Sequence, residues 1–295
     1  MGLQVGIVGL PNVGKSTLFS AISSNKAEIA NYPFCTIEPN VGIVTVPDKR
    51  LNILEELVNP QKVLPTVIEL VDIAGLVKGA SQNLGLGNKF LANIREVDAI
   101  LHVVRCFQDD NVVHVEGRVN PVSDKEIIDF ELQLKDLESV DKKIQKIERA
   151  AKATLAVLQL YKSTLETGKS ARTVQGIDPD AKFEAIGDIL LLTDKPVIYV
   201  ANVDESSIAL GTNEYVEELK KVVAEEGAEV IVICAALEAQ IAEMEDPEDR
   251  EMFLGEYNLT ESGLDKLIRS SYSILNLITY FTAGVKEVRA WTIQK

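Results

Sequence analysis

A chain of 295 residues with 46 % apolar content is long enough to bury two cores, and it has no apolar stretch near the roughly 18 residues that a membrane-crossing helix needs. Its 30 basic and 45 acidic residues leave a formal charge of −15, which argues against a broad non-specific nucleic-acid surface and against DNA as a partner. Three cysteines (Cys35, Cys106, Cys234) stand far apart without C-x-x-C pairing, and Met1 runs almost directly into the first strand, so the expectation is a cytoplasmic protein with no zinc site, no disulfide framework and no membrane partner.

The first apolar run, Val5 to Val8, leads into Gly9 to Ser16, which reads G-L-P-N-V-G-K-S, and then into a helix-like stretch from Thr17 to Ile22. This is a complete G-x-x-x-x-G-K-S phosphate loop between a strand and a helix. Its glycines let backbone N–H groups turn inward around a β-phosphate, where the start of the next helix adds partial positive charge. Asn12, Val13, Gly14, Lys15, Ser16 and Thr17 are therefore the candidate phosphate-binding positions. Lys15 is placed to reach the β/γ oxygens as a catalytic cation, and the Ser16 hydroxyl to reach Mg²⁺.

Further along, Thr36 offers a second hydroxyl for the metal. Val41 to Val46 and Val67 to Val71 read as neighbouring strands, the first of them antiparallel, with a helix over Lys49 to Leu57 between them. The second strand ends in Asp72-Ile-Ala-Gly75, a D-x-x-G in which Asp72 holds Mg²⁺ through water and the Gly75 N–H senses the γ-phosphate. Gly79, Gly85 and Gly87 follow with the spacing of a switch segment. Leu76 stands where many switch GTPases carry the glutamine that orients the attacking water, and no arginine finger is identifiable. After a helix over Phe90 to Val97 and a strand over Ala99 to Val104, the loop beyond Arg105 carries His114. A near-neutral imidazole there is a candidate to orient or accept from water, whereas His102, inside the strand, reads as structural.

Strand-like runs stop between about Pro121 and Pro196. Apolar residues instead recur every three or four positions from Phe130 to Leu165, the pattern of a long amphipathic helix or a coiled-coil hairpin with its tip near Ala150 to Ala153. Gly168 ends that run, and a further helix is expected over Pro179 to Leu192. From Lys142 to Arg172 eight basic residues face two acidic ones, a local surplus of six in an acidic chain, which suggests an arm for a polyanion such as RNA. The sheet then resumes with Val197 to Val200, a helix over Tyr215 to Glu225, and Val230 to Ile233.

The base-recognition position reads Asn202-Val203-Asp204-Glu205. A guanine site is expected to show N-K-x-D, whose aspartate accepts from guanine N1–H and N2; the longer Glu205 misplaces that acceptor, and adenine loses nothing by the change. Cys234, Ala235 and Ala236 form the second base-side loop. Beyond a helix over Leu267 to Leu277 come Thr279 to Gly284 and a strand over Glu287 to Ile293.

These segments resemble the Obg-like ATPases, the YchF group of ribosome-associated P-loop proteins. The resemblance rests on the phosphate loop, N-Y-P-F-C-T-I-E-P-N from Asn31, D-I-A-G-L-V-K-G-A from Asp72, G-N-K-F-L from Gly87, N-V-D-E at Asn202 and T-Y-F-T-A-G from Thr279. It implies an α/β P-loop G-domain with a mostly parallel sheet over residues 1–120 and 196–275, an inserted helical coiled-coil domain over 121–195, and the start of an incomplete β-rich TGS domain over 276–295. It further implies a slow, Mg²⁺-dependent ATPase preferring ATP to GTP, the ribosome or its RNA as partner through the basic arm, and His114 as the water-positioning residue. Related enzymes without the glutamine use the loop asparagine to hold potassium, which makes Asn12 a candidate K⁺ ligand and catalytic residue. Two other readings remain at this point: a conventional GTP-specific switch, and a nucleotide-gated binding protein with negligible turnover.

Overall fold

The β-branched runs form strands because they are buried on both faces, as a parallel sheet covered by helices requires. A computed structural model describes residues 3–24, 40–73, 85–147 and 152–295. In chain order these form β1 (Gln4–Val8), α1 (Lys15–Ser24), β2 (Val41–Thr45), α2 (Lys49–Val58), β3 (Val63–Leu64), β4 (Val67–Asp72), α3 (Gly85–Glu96), β5 (Ala99–Arg105), α4 (Pro121–Lys146), α5 (Lys152–Glu166), α6 (Pro179–Ile186), β6 (Val197–Asn202), α7 (Glu205–Leu210), α8 (Glu214–Ala224), β7 (Glu229–Ile233), α9 (Ala235–Glu243), α10 (Pro247–Glu256), α11 (Gly263–Ile274), β8 (Leu277–Ala283) and β9 (Val288–Gln294).

The main sheet runs β2-β4-β1-β5-β6-β7. Its pairings are parallel except β2 against β4, the antiparallel edge expected from the sequence. Every residue of β5 and β6 is buried, so these central strands read as mostly apolar runs rather than alternating ones, with His102, Arg105 and Asn202 as their buried polar members. The parallel register brings the C-terminal ends of β1, β4, β5, β6 and β7 to one rim, where an open α/β sheet binds its ligand.

Helix α4 begins as a sequence-coded start: the Asn120 side chain accepts from the Ser123 N–H, and Pro121 fills the first position. Its first half packs Ile128 and Leu132 into the sheet's core. Its second half belongs to a separate core built from Val140, Leu158, Tyr161, Leu165 and Ile186. Helix α4 ends at Lys146, α5 begins at Lys152, and the two pack against each other as a helical hairpin; of the expected tip, Ala150 and Ala151 lie outside the described residues and Ala153 belongs to α5. The helix expected up to Leu192 is shorter, because the chain at Leu192 and Thr193 is held instead by α4. The buried Asp136 carboxylate accepts from the Leu192 N–H, the Thr193 N–H and the Thr193 hydroxyl, each at 2.7 Å.

The C-terminal strands are not a solitary hairpin. β8 pairs antiparallel with β9, and β9 pairs parallel with β3, a two-residue strand between Lys62 and Pro65. Leu51 of α2 packs with Val288 and Ala290 beneath this small sheet. Residues 276–295 therefore share a sheet and a core with residues 51–64, and a boundary at 276 does not separate them physically.

Candidate nucleotide site

The phosphate loop closes at the rim between β1 and α1. Gly14 sits at φ +93°, and a Cβ there would stand 2.1 Å from Asn202 Nδ2, so both the backbone angle and the space demand glycine. That close approach has a purpose. Asn202, buried at the end of β6, donates to the Val13 carbonyl at 2.8 Å and accepts from the Ala235 N–H at 2.9 Å. One amide thus ties the phosphate loop, the base-side strand and the start of α9 together.

Strand β4 lies beside β1 with Asp72 opposite Ile7, which carries the Asp72 carboxylate to the loop. Lys15 Nζ donates to Asp72 Oδ1 at 2.7 Å, and the lysine side chain is 10 % exposed. A cation held there by one carboxylate is placed to change partners when an anion enters. Ser16 and Thr17 are exposed at the mouth. Together these groups open onto a cleft of about 910 Å³ whose other walls are Phe107, Asp109, Val112, Asn202 to Ser206 and Cys234 to Ala236. The structure brings Asn12, Gly14, Lys15, Ser16, Thr17, Val203, Glu205 and the Cys234–Ala236 loop to one cavity, with Val13 buried just behind it. Thr36, Gly75, Leu76, Gly79 and Cys35 lie outside the described residues.

At the base side, Val203 is buried and its N–H donates to the Ile233 carbonyl. Asp204 is consumed as the cap of α7: its carboxylate accepts from the Ser207 N–H at 2.8 Å and the Ser206 hydroxyl at 3.1 Å, and these bonds hold its pKa below the usual range. Glu205 follows as the first, exposed residue of α7, with Tyr257 Oη 3.4 Å away. Cys234 is buried at the cap position of α9, and burial pushes its thiol up.

His114 does not line the cleft. Its ring is buried, Nδ1 accepts from the Glu116 N–H at 3.2 Å, and Nε2 stands 2.8 Å from Asp124 Oδ2 in the first turn of α4. Accepting at Nδ1 places the ring proton on Nε2, so the imidazole donates to Asp124. Burial, the first cause, pushes the Asp124 carboxyl up against the lowering effect of that bond. The loop carrying His114 is built on Arg105, 1 % exposed, whose guanidinium donates to the carbonyls of Phe107, Val112 and Asp109 at 3.1, 2.9 and 3.1 Å. Asn12, at φ 62°, spends its amide on the Val113 carbonyl at 3.0 Å, so the phosphate loop and the His114 loop touch. Sequence reasoning missed Arg105 and Asp124: the first ends an apolar strand, and the second reads as an ordinary acidic residue in a first helical turn. His102, buried against Tyr199 with ring centroids 5.2 Å apart, has its pKa lowered to about 3 by burial and by Lys125, as befits a neutral structural imidazole.

The basic arm is less basic than its sequence window. Lys142 pairs with Glu138, Lys143 with Asp188, Lys162 with Asp141 at 2.7 Å, and Arg172 with Glu226 at 2.6 Å. All four carboxylates lie outside the Lys142–Arg172 window, which is why counting within it overstated the surplus. Among the described residues, Lys146, Lys152 and Lys169 show no such carboxylate, and the first two flank the tip.

Comparison with known proteins follows the same lines. The family model of the 50S ribosome-binding GTPases matches residues 4–159. A Bacillus subtilis protein described as ribosome-binding ATPase YchF is 54 % identical over 303 aligned residues, covering all of this chain and 82 % of that protein. The chain belongs to the YchF family. A YchF protein of Escherichia coli O157:H7, described in the same words, is 52 % identical over 99 % of this chain and 81 % of its own length. The solved structure of the Schizosaccharomyces pombe YchF GTPase superposes with a TM-score of 0.87 at 40 % identity, covering 100 % of this chain and 81 % of that one. The G-domain fold of YchF, with its mostly parallel sheet and helical arm, is therefore the fold of this chain. The two curated relatives are described as ATPases and the solved structure as a GTPase, so the site itself is the further guide to the base.

Proposed function

We propose that this chain is a Mg²⁺-dependent hydrolase that prefers ATP to GTP and acts as a slow switch on the ribosome in the cytoplasm. One observation carries the base preference. With Asp204 spent on capping α7, the acidic group left to meet a base edge is Glu205, one methylene longer than the aspartate of a guanine site. The relatives described as ribosome-binding ATPases support both the base and the partner. Competition between ATP and GTP for the nucleotide-free protein tests it: ATP is expected to bind more tightly, and GTP winning by about tenfold or more would overturn the ATP reading. Glu205→Asp is expected to narrow the ATP-over-GTP affinity ratio by about tenfold, since it restores the shorter acceptor.

The donor set suits Mg²⁺, a hard cation that takes a few protein oxygens and completes its shell with phosphates and water. Ser16 and Asp72, joined by Thr36, would hold it, and when bound it neutralises charge developing on the transferred phosphoryl group. The chain's own part is positioning. Lys15 exchanges Asp72 for the β/γ oxygens, Asn12 to Thr17 cradle the phosphates, the Asn202 amide fixes the loop, and Val203 and the Cys234–Ala236 loop border the base. His114 positions the attacking water once its ring leaves Asp124. Asn12 is the candidate ligand for a potassium ion, a role that needs its amide to leave the Val113 carbonyl.

Ribosome contact is assigned to the arm, now narrowed to the basic residues at its tip. Lys146→Glu combined with Lys152→Glu is expected to weaken co-sedimentation with ribosomes and to flatten its salt dependence by about two counterions. Unchanged sedimentation across a salt series would remove the arm from the interface.

A further inference from the structure

The His114–Asp124 pair joins two parts of the molecule that the hydrolysis reaction itself does not require to be joined. His114 belongs to the loop after β5, one residue beyond the carbonyl that Asn12 of the phosphate loop holds at 3.0 Å. Asp124 belongs to the first turn of α4, the helix that continues into the arm. The bond between them is short, 2.8 Å, and both side chains are nearly sealed from solvent, at 5 % and 3 % exposure. Both ring nitrogens are occupied, Nδ1 by the Glu116 N–H and Nε2 by the carboxylate, so in this arrangement the ring has no nitrogen to offer a water molecule.

Asp124 is itself imperfectly housed. Its Oδ1 is buried and has no hydrogen-bond partner among the described residues. A buried carboxylate with one oxygen unsatisfied gives a structure less stability than a fully bonded one. The pair therefore holds His114 in place without the full set of bonds that would make the arrangement permanent.

We infer that Asp124 is a positioning residue that keeps His114 withdrawn from the nucleotide cleft, so that breaking the His114–Asp124 bond is a step toward the hydrolysis-competent state. The inference rests on the reading of His114 as the water-positioning residue and adds what restrains it. It also gives the arm a route to the cleft: a partner that displaces the first turn of α4 takes away the acceptor that His114 is bound to.

The test uses the full chain and five proteins: wild type, Asp124→Ala, Asp124→Asn, His114→Ala and the Asp124→Ala/His114→Ala double variant. Phosphate release is measured at saturating MgATP, with thermal melting to establish folding. Turnover scales with the fraction of molecules whose histidine is free, so Asp124→Ala is expected to raise kcat by about three- to tenfold with KM little changed. Asp124→Asn, which keeps an acceptor without its charge, is expected to fall between it and wild type. The double variant is expected to drop to the rate of His114→Ala.

A second readout is one that a purely structural role would not move. The chain has two histidines, and His102 is buried in the sheet, so the rate of histidine carbethoxylation by diethyl pyrocarbonate reports His114. It is expected to rise in Asp124→Ala and, less, in Asp124→Asn. If Asp124→Ala fails to fold, Asp124→Asn decides on the same two measurements. Folded variants with turnover at or below wild type, or with unaltered carbethoxylation, overturn the latch. His114→Ala turning over at the wild-type rate overturns the underlying reading of His114, and the latch with it.

Discussion

Lys15→Ala is expected to lower ATP turnover by on the order of 10²–10³-fold, the loss seen when one preorganised donor to a developing anion is removed. The ammonium is held by a single carboxylate, Asp72, at the rim where β1 and β4 end side by side. When triphosphate enters, the same cation meets the β/γ oxygens, and the barrier falls because charge spreading over the phosphoryl oxygens in the transition state finds a counter-charge already in place. The fold is expected to survive. Asp72 is the more exposed partner, at 22 %, so water can solvate it once the lysine is gone, and the melting temperature is expected to shift by only a few degrees, about 1 kcal/mol. Phosphate release by wild type and variant, alongside thermal melting, checks both halves. An unchanged rate would take the phosphate loop out of the chemistry.

Asp136→Ala is expected to destabilise the folded state by about 3–5 kcal/mol, because it leaves two backbone N–H groups and a hydroxyl without their acceptor in a buried junction. The pH dependence distinguishes this carboxyl from a surface one. Burial raises its pKa to about 6 against the lowering effect of its three hydrogen bonds. A raised folded-state pKa means that the folded protein binds the proton more tightly than the unfolded chain. This group's contribution is therefore greatest below the ordinary aspartate pKa and declines as pH rises through about 6. Asp136→Asn, which keeps one acceptor and no charge, is expected to lose less than Asp136→Ala, and its deficit against wild type is expected to shrink between pH 5 and 7 on urea titration. A deficit that grows over that interval would show that the hydrogen bonds outweigh burial.

The sheet was legible in the sequence because its strands are buried on both faces, leaving β-branched runs such as Val197 to Val200 that no helix pattern imitates. The phosphate loop, Asp72 and the Asn202–Glu205 motif were legible for a related reason: each sits at a fixed strand end, and parallel registry delivers all of them to one rim. What stayed hidden was long-range and polar. Nothing local marks Val63–Leu64 as a strand, since its partner lies more than 220 positions away at Val288–Arg289. The carboxylates that neutralise the arm lie outside the basic window they serve. His114 drew attention by its residue type, whereas Asp124 and Arg105, which decide where its ring and its loop are held, looked like a first-turn acid and the end of a strand. His114's withdrawal from the cleft follows from those two contacts, which spacing alone does not reveal.

Helix α4 has a consequence for how the molecule unfolds. Adjacent parallel strands such as β5 and β6 cannot be joined without a crossover, and the first half of α4 fills that place against the sheet. The same unbroken helix of 26 residues, about 39 Å long, then supplies Val140 to the arm's own core. The two cores share one backbone. Fraying that begins at Val140 runs down the hydrogen-bond ladder toward Ile128, so the near part of the arm exchanges its amides with the sheet rather than on a schedule of its own.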